Sequence, residues 1–127
     1  MRFEHLALNV TDARAMAAWY VQHLGLSVVR ALESAPHTHF LADATGRTVL
    51  EVYSNPAAPY PNYKDQHWLV LHVAFVSADA DADRARLERA GATPATVDAL
   101  PDGSRLVMMR DPWGVCLQLC QRARPMP

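Results

Sequence analysis

The sequence predicts an α+β fold built from two βαβββ modules, with eight strands forming a cupped mixed sheet. Three observations carry that expectation. Each half of the chain opens on a short apolar run, continues into one helix-period segment and ends in three runs of strand character. Polar residues of matching type recur at one offset: His5 and His72 stand 67 positions apart (72 − 5), and so do Glu51 and Gln118 (118 − 51). The last turn of each half has one design, DATG at 43–46 and DPWG at 111–114.

Each element has its own warrant. Residues 3–10 form an apolar run of strand type, and Thr11 or Asp12 offers the N-cap of the helix that follows. In DARAMAAWYVQHL, Met16, Tyr20 and Leu24 recur at helical spacing, and Gly25 supplies the stop. Strands are expected at 27–33, 37–43 and 47–54. Residues 69–76 open the second half, with Ser77 or Asp79 as cap. DADADRARLERA is acidic at its start and basic at its end, as the helix dipole favours, and Gly91 stops it. Strands follow at 93–98, 104–110 and 115–121. Gly46 and Gly114 supply the positive φ of tight hairpin turns. The repeat has one mismatch, since Gly46 precedes Glu51 by five residues and Gly114 precedes Gln118 by four.

The 127 residues suit one domain, with module one at 1–54, a linker at 55–68 and module two at 69–122. The linker NPAAPYPNYKDQHW holds three of the nine prolines, so it is neither helix nor central strand. Half the residues are hydrophobic, 20% are charged, and the formal net charge is −1. That balance describes a soluble globular protein and argues against nucleic acid and acidic lipid as partners. Basic residues are scattered apart from a short Arg122/Arg124 tail. No run reaches transmembrane length, and the N-terminus is too short and polar for a secretory signal, so a cytoplasmic location is expected. Cys116 and Cys120 lie about 13 Å apart along a strand, too far for a disulfide, and both are expected to be reduced.

Strand alternation assigns the faces. His5 shares one with Phe3, Ala7 and Asn9; His72 with Val70, Ala74 and Val76; Glu51 with Val49 and Tyr53; Gln118 with Cys116 and Cys120. The opposite faces are apolar throughout and are expected under the helices. A buried polar side chain needs a partner, and four of them at matched positions suggest one shared partner. Neutral imidazole and carboxylate oxygen suit a divalent metal ion such as Zn²⁺, Ni²⁺, Co²⁺, Mn²⁺ or Fe²⁺, and an amide oxygen is a weaker ligand. Four protein ligands out of six leave positions open for substrate. Other residues draw structural readings: His37 and His39 as exposed or structural, Tyr53 as a wall beside Glu51 or its orienter, Arg105 as salt-bridged, and Trp19 and Tyr20 as helix packing.

With FEHLALNVTDARAMAAWYVQHLGL, TVLEVY, LHVAF and LVMMRDPWGVCLQL in place, the chain resembles the vicinal oxygen chelate superfamily. That group includes glyoxalase I, bleomycin-resistance proteins, fosfomycin-resistance enzymes and extradiol dioxygenases. The resemblance covers nearly the whole chain and implies a homodimer in which sheets pair between subunits. It puts His5, Glu51, His72 and Gln118 on the four metal positions of glyoxalase I-like proteins. It implies a metal-dependent isomerase, lyase or dioxygenase acting on a small molecule with adjacent oxygens, the metal serving as Lewis acid. Gln118 departs from the pattern, because the family usually has Glu there and Gln takes up no proton near neutral pH. Glu51 is then the carboxylate of the four, and the catalytic candidate. Two further readings stay open: a metal-free binding or sequestering protein like the bleomycin-resistance proteins, and a lactoylglutathione lyase using Glu51 as base.

Overall fold

A computed structural model describes residues 1–126. It contains the α+β class and the two βαβββ modules expected. The order is β1 (Leu6–Asn9), α1 (Ala13–Leu24), β2 (Ser27–Ala31), β3 (His39–Ala42), β4 (Thr48–Tyr53), then β5 (Val73–Val76), α2 (Ala80–Arg89), β6 (Thr93–Ala99), β7 (Arg105–Arg110) and β8 (Cys116–Gln121). The strands form two four-stranded mixed sheets, β1-β4-β3-β2 and β5-β8-β7-β6. The chain divides into two compact units, residues 1–61 and 62–127.

In unit 1, β1 runs parallel to β4 with Leu6 opposite Leu50 and Ala7 opposite Glu51. Parallel neighbours cannot be joined by a tight turn, so a crossover must intervene, and α1 opens it. The Asp12 side chain accepts from the Ala15 N–H, and Gly25 ends the helix in the left-handed region at φ 72°. Met16, Ala17 and Tyr20 are buried against β2, β3 and β4, where Leu41, Leu50 and Val52 complete the core.

Unit 2 repeats the plan, with β5 parallel to β8 and Ala74 opposite Gln118. Asp79 caps α2 at the Ala82 N–H, and the Gln121 side chain accepts from Ala80 N. Leu87 is buried with Val107, Met109, Leu117 and Leu119. Helix α2 packs on β6, β7 and β8. The apolar face of β5 is less covered than the alternation suggested: Val73 and Phe75 stay half-buried, since β5 is an edge strand beside the helix-covered part of its sheet.

The one-residue mismatch between the halves has a structural cause. Strand β3 pairs Leu41 with Leu50 but Ala42 with Thr48, so Val49 is an extra residue in a β-bulge. The β7–β8 ladder runs without interruption from Arg105 opposite Gln121 to Arg110 opposite Cys116. The bulge absorbs the additional residue, and Glu51 and Gln118 reach equivalent positions.

The 55–68 segment is pinned to its neighbours and contains a 3-10 turn at Tyr63–Asp65, regular structure that its prolines had argued against. The buried Asn9 side chain donates to Asn55 O and accepts from Asn55 N at 2.9 and 2.8 Å, as a strand backbone would. Further on, the Arg110 guanidinium donates to the carbonyls of Tyr63, Gln66 and Gly114. The 3-10 turn also lies directly on the DPWG turn: a Cβ on Gly114 would stand 2.7 Å from Lys64 N and would overlap Lys64 Cγ.

Gly114 (φ 91°) is therefore constrained twice, by backbone sign and by contact, whereas Gly46 (φ 81°) has open space around it. Gly114→Ala is expected to cost about 2–4 kcal/mol and Gly46→Ala about 1–2 kcal/mol. Urea midpoints of the two variants at unchanged m-value check this. Equal losses would mean that the Lys64 contact yields freely.

Candidate functional site

The parallel ladders build the site one half at a time. His5 precedes β1 by one residue and stands two before Ala7, which pairs with Glu51. Side chains two apart share a face, so His5 and Glu51 are brought together. His5 Nε2 lies 3.1 Å from Glu51 Oε2, and both side chains are about one-fifth to one-quarter exposed (24% and 20%). On the other side of the ring, Nδ1 lies 3.1 Å from Glu4 Oε2. That approach lacks hydrogen-bond alignment, so the buried Nδ1 has no hydrogen-bond partner.

Phe40 completes this half, and the sequence reading missed it. It sits opposite Glu51 on β3 and presents its ring edge-on to His5 at 5.6 Å between centroids. The bulge at Val49 hid the register that would have revealed it. His39 is opposite Val52, on the helix-covered face and away from Glu51. Its Nδ1 bonds the His37 carbonyl at 2.7 Å, a structural role.

In unit 2, His72 precedes β5 by one residue and stands two before Ala74, which pairs with Gln118. His72 Nδ1 donates to the Trp68 carbonyl at 2.9 Å. A carbonyl only accepts, so in the neutral imidazole the proton sits on Nδ1 and Nε2 carries the lone pair. Gln118 Oε1 accepts from the Cys120 thiol at 3.2 Å. Met108, buried, takes the place that Phe40 has in unit 1. Arg105, expected to be salt-bridged, is bound to Asp81 on α2 at 2.8 Å.

The donor set suits a divalent ion. Two ligands about 2.1 Å from one ion and at right angles are about 3 Å apart, and the His5–Glu51 separation matches such an edge. An Nδ1–H bonded to a carbonyl, as in His72, is the usual orientation device for a metal-binding Nε2. Among the described residues, no group of three or more His, Cys, Asp or Glu side chains stands in a metal-holding arrangement. Within unit 1 the structure brings His5 to Glu51, and within unit 2 His72 and Gln118 share a sheet face.

Burial pushes both the Cys116 and Cys120 thiols up from their ordinary range. Around Cys116 the Arg110 charge opposes that shift, and around Cys120 the Arg122 guanidinium does. Both thiols are free and buried. No described helix is long and apolar enough to cross a membrane.

Residues 2–119 match the model of the Glyoxalase/Bleomycin resistance protein/Dioxygenase superfamily. No curated protein matches the chain by sequence. Among solved structures, the chain is similar to TnmS3, an antibiotic binding protein from Streptomyces sp. CB03234, at 21% identity and TM-score 0.72 over 97% of each chain. It is similar to a lactoylglutathione lyase from Agrobacterium tumefaciens at 24% identity and TM-score 0.66, over 94% of this chain and 92% of that one. A glyoxalase family protein from Enterococcus faecalis gives 22% identity and TM-score 0.70 over 94% and 96%. Identities this low speak for the fold alone.

The raised thiol pKa values make a prediction with a definite sign. The folded state favours the neutral thiols, so unfolding gains from ionisation once pH passes the ordinary thiol range, about 8.5–9. Stability is expected to fall as pH rises through that range, and the fall should be smaller in Cys116→Ala/Cys120→Ala relative to its own value at pH 7. Urea unfolding at pH 7 and pH 9.5 measures it.

Proposed function

Because the chain belongs to the Glyoxalase/Bleomycin resistance protein/Dioxygenase superfamily, we propose that it is a metal-dependent enzyme acting on a small molecule with adjacent oxygens. His5, Glu51, His72 and Gln118 are the proposed ligands. The observation that carries this reading is the His5–Glu51 pair, held at a coordination-edge distance on the face that also bears Phe40. The lone pair on His72 Nε2, directed by the Trp68 carbonyl, supports it from the second module.

When bound, a divalent ion supplies Lewis-acid stabilisation of negative charge on adjacent substrate oxygens. The protein's own groups divide the remaining work. Glu51 is the one proposed ligand with a carboxylate, so it is the residue that takes up or delivers a proton at Oε1 or Oε2. Gln118 holds no exchangeable charge and serves as a neutral oxygen donor. Phe40 limits water at the His5 edge. Reaction type follows from the substrate, among isomerase, lyase and dioxygenase chemistries.

A second reading is a metal-free small-molecule binding protein. The likeness to a protein whose name describes antibiotic binding supports it. Metal content separates the two. About one divalent ion per chain is expected after loading with Zn²⁺, Ni²⁺, Mn²⁺ or Fe²⁺, with affinity reduced at least about 100-fold in Glu51→Ala and in His72→Ala. Gln118→Glu should bind more tightly. Wild-type protein that stays empty after all four ions would establish the binding-protein reading.

We also infer a homodimer. Strands β1 and β5 are sheet edges, and the segments leading into them expose Phe3 (66%), Leu69 (75%) and Val70 (74%). Exposed apolar side chains beside open strand edges suit pairing with a second copy. Leu69→Asp/Val70→Asp is expected to run as a monomer in light scattering where the wild type runs as a dimer.

A further inference from the structure

Unit 2 contains a cavity of about 230 Å³ whose place in the fold ties it to Gln118. Strand β5 pairs Ala74 with Gln118 and Val76 with Cys120, so Ala74, Val76 and Cys120 share the Gln118 face. These three line the cavity, with Pro125 and Met126 of the C-terminal tail across from them and Arg122 at the rim. The wall is apolar, and Arg122 is the charged residue among those lining it.

The state of Arg122 is informative. Its guanidinium lies beside the Cys120 thiol and acts on it, and that thiol donates to Gln118 Oε1. Four arginines of unit 2 are engaged, Arg84 with Glu88, Arg86 with Asp83, Arg105 with Asp81, and Arg110 with three carbonyls; Arg89 and Arg124 lie outside the cavity lining, so Arg122 is the arginine that combines a place at the rim with an unclaimed charge. Among the described residues no carboxylate lies within ion-pair distance of Arg122. Asp102, which feels its charge, is held by Ser104 through both carboxylate oxygens. A planar guanidinium with no carboxylate partner among the described residues, at the rim of an apolar cavity, is suited to grip a carboxylate in two-pronged fashion. The volume lies below the range of about 300–1,000 Å³ usual for drug-sized ligands, which points to a small molecule.

We propose that this cavity binds a small apolar molecule carrying one carboxylate, which Arg122 holds while Val76, Pro125 and Met126 cover the apolar body. Identifying that molecule as the substrate rests on the enzyme reading above; the binding itself does not.

The test compares 2-naphthoate with its neutral counterpart 2-naphthalenemethanol, titrated into the full-length protein with and without EDTA. Naphthoate is expected to saturate one site per chain and to bind about tenfold more tightly than the alcohol. Arg122→Gln should remove that preference and leave alcohol binding unchanged; Arg122→Lys should restore part of it. The preference should persist in EDTA and in His72→Ala. No saturable naphthoate binding overturns the proposal, as does a preference unaffected by Arg122→Gln. A preference that disappears with EDTA or in His72→Ala also overturns it, by placing the carboxylate on a metal, and would leave the metal reading standing. Conversely, an Arg122-dependent preference in a protein that takes up no metal would uphold the cavity and defeat the metal reading.

Discussion

In each module the first strand lies parallel to the last, and most of what the site needs follows from that pairing. A parallel ladder has no turn to set its register, so the side chains must set it. In unit 1 they do so by alternation: Leu50 and Val52 must face α1, and their burial, 2% and 0%, shows how strictly they do. A slip by one residue would bury Glu51 under the helix and expose both apolar neighbours. Holding Glu51 out therefore comes with the hydrophobic core. The His two residues before the paired Ala then shares its face, and the same relation recurs in unit 2 with His72, Ala74 and Gln118.

The two modules carry this rule through different local chemistry. Unit 1 puts a carboxylate against an imidazole, with an aromatic edge beside them. Unit 2 puts an amide against a thiol, with a methionine behind and an arginine beyond. The His5–Glu51 pair stands on the sheet face opposite the helix-covered core. Its geometry is held by the strands beneath it, and this leaves both side chains free for other work. The Arg110 bonds and the Gly114 contact have the opposite character: they hold the 3-10 turn on the final hairpin and act on structure alone.

Much of this was legible from residue order. The narrowing of the helix caps to Thr11 or Asp12 and to Ser77 or Asp79, the positive-φ glycines at 46 and 114, the βαβββ order and the faces of Glu51 and Gln118 all come from local pattern, and local pattern is what a sequence displays directly. Phe40 was not legible because a bulge at Val49 shifts the ladder, and a bulge leaves no mark in alternation over so short a strand. The role of Asn9 was hidden for another reason. An asparagine at the end of a strand looks like a turn residue until the segment it ties down, 46 positions later, is seen beside it. The 3-10 turn in the proline-rich segment was likewise missed, since its stability comes from Arg110 and Gly114, far off in the chain.

What the sequence by itself determined is the repeat: two modules, each offering a histidine and an oxygen donor on one strand face, because side-chain alternation is a property of every strand taken alone. What only the tertiary structure decided is which atoms meet. The 3.1 Å approach of His5 to Glu51, the Trp68 carbonyl that sets the His72 tautomer, and the Arg122–Cys120–Gln118 chain beside a cavity all depend on ladder register and on loops packed from a distance. Such contacts are fixed by the balance of the whole core, and no short stretch of residues contains that information.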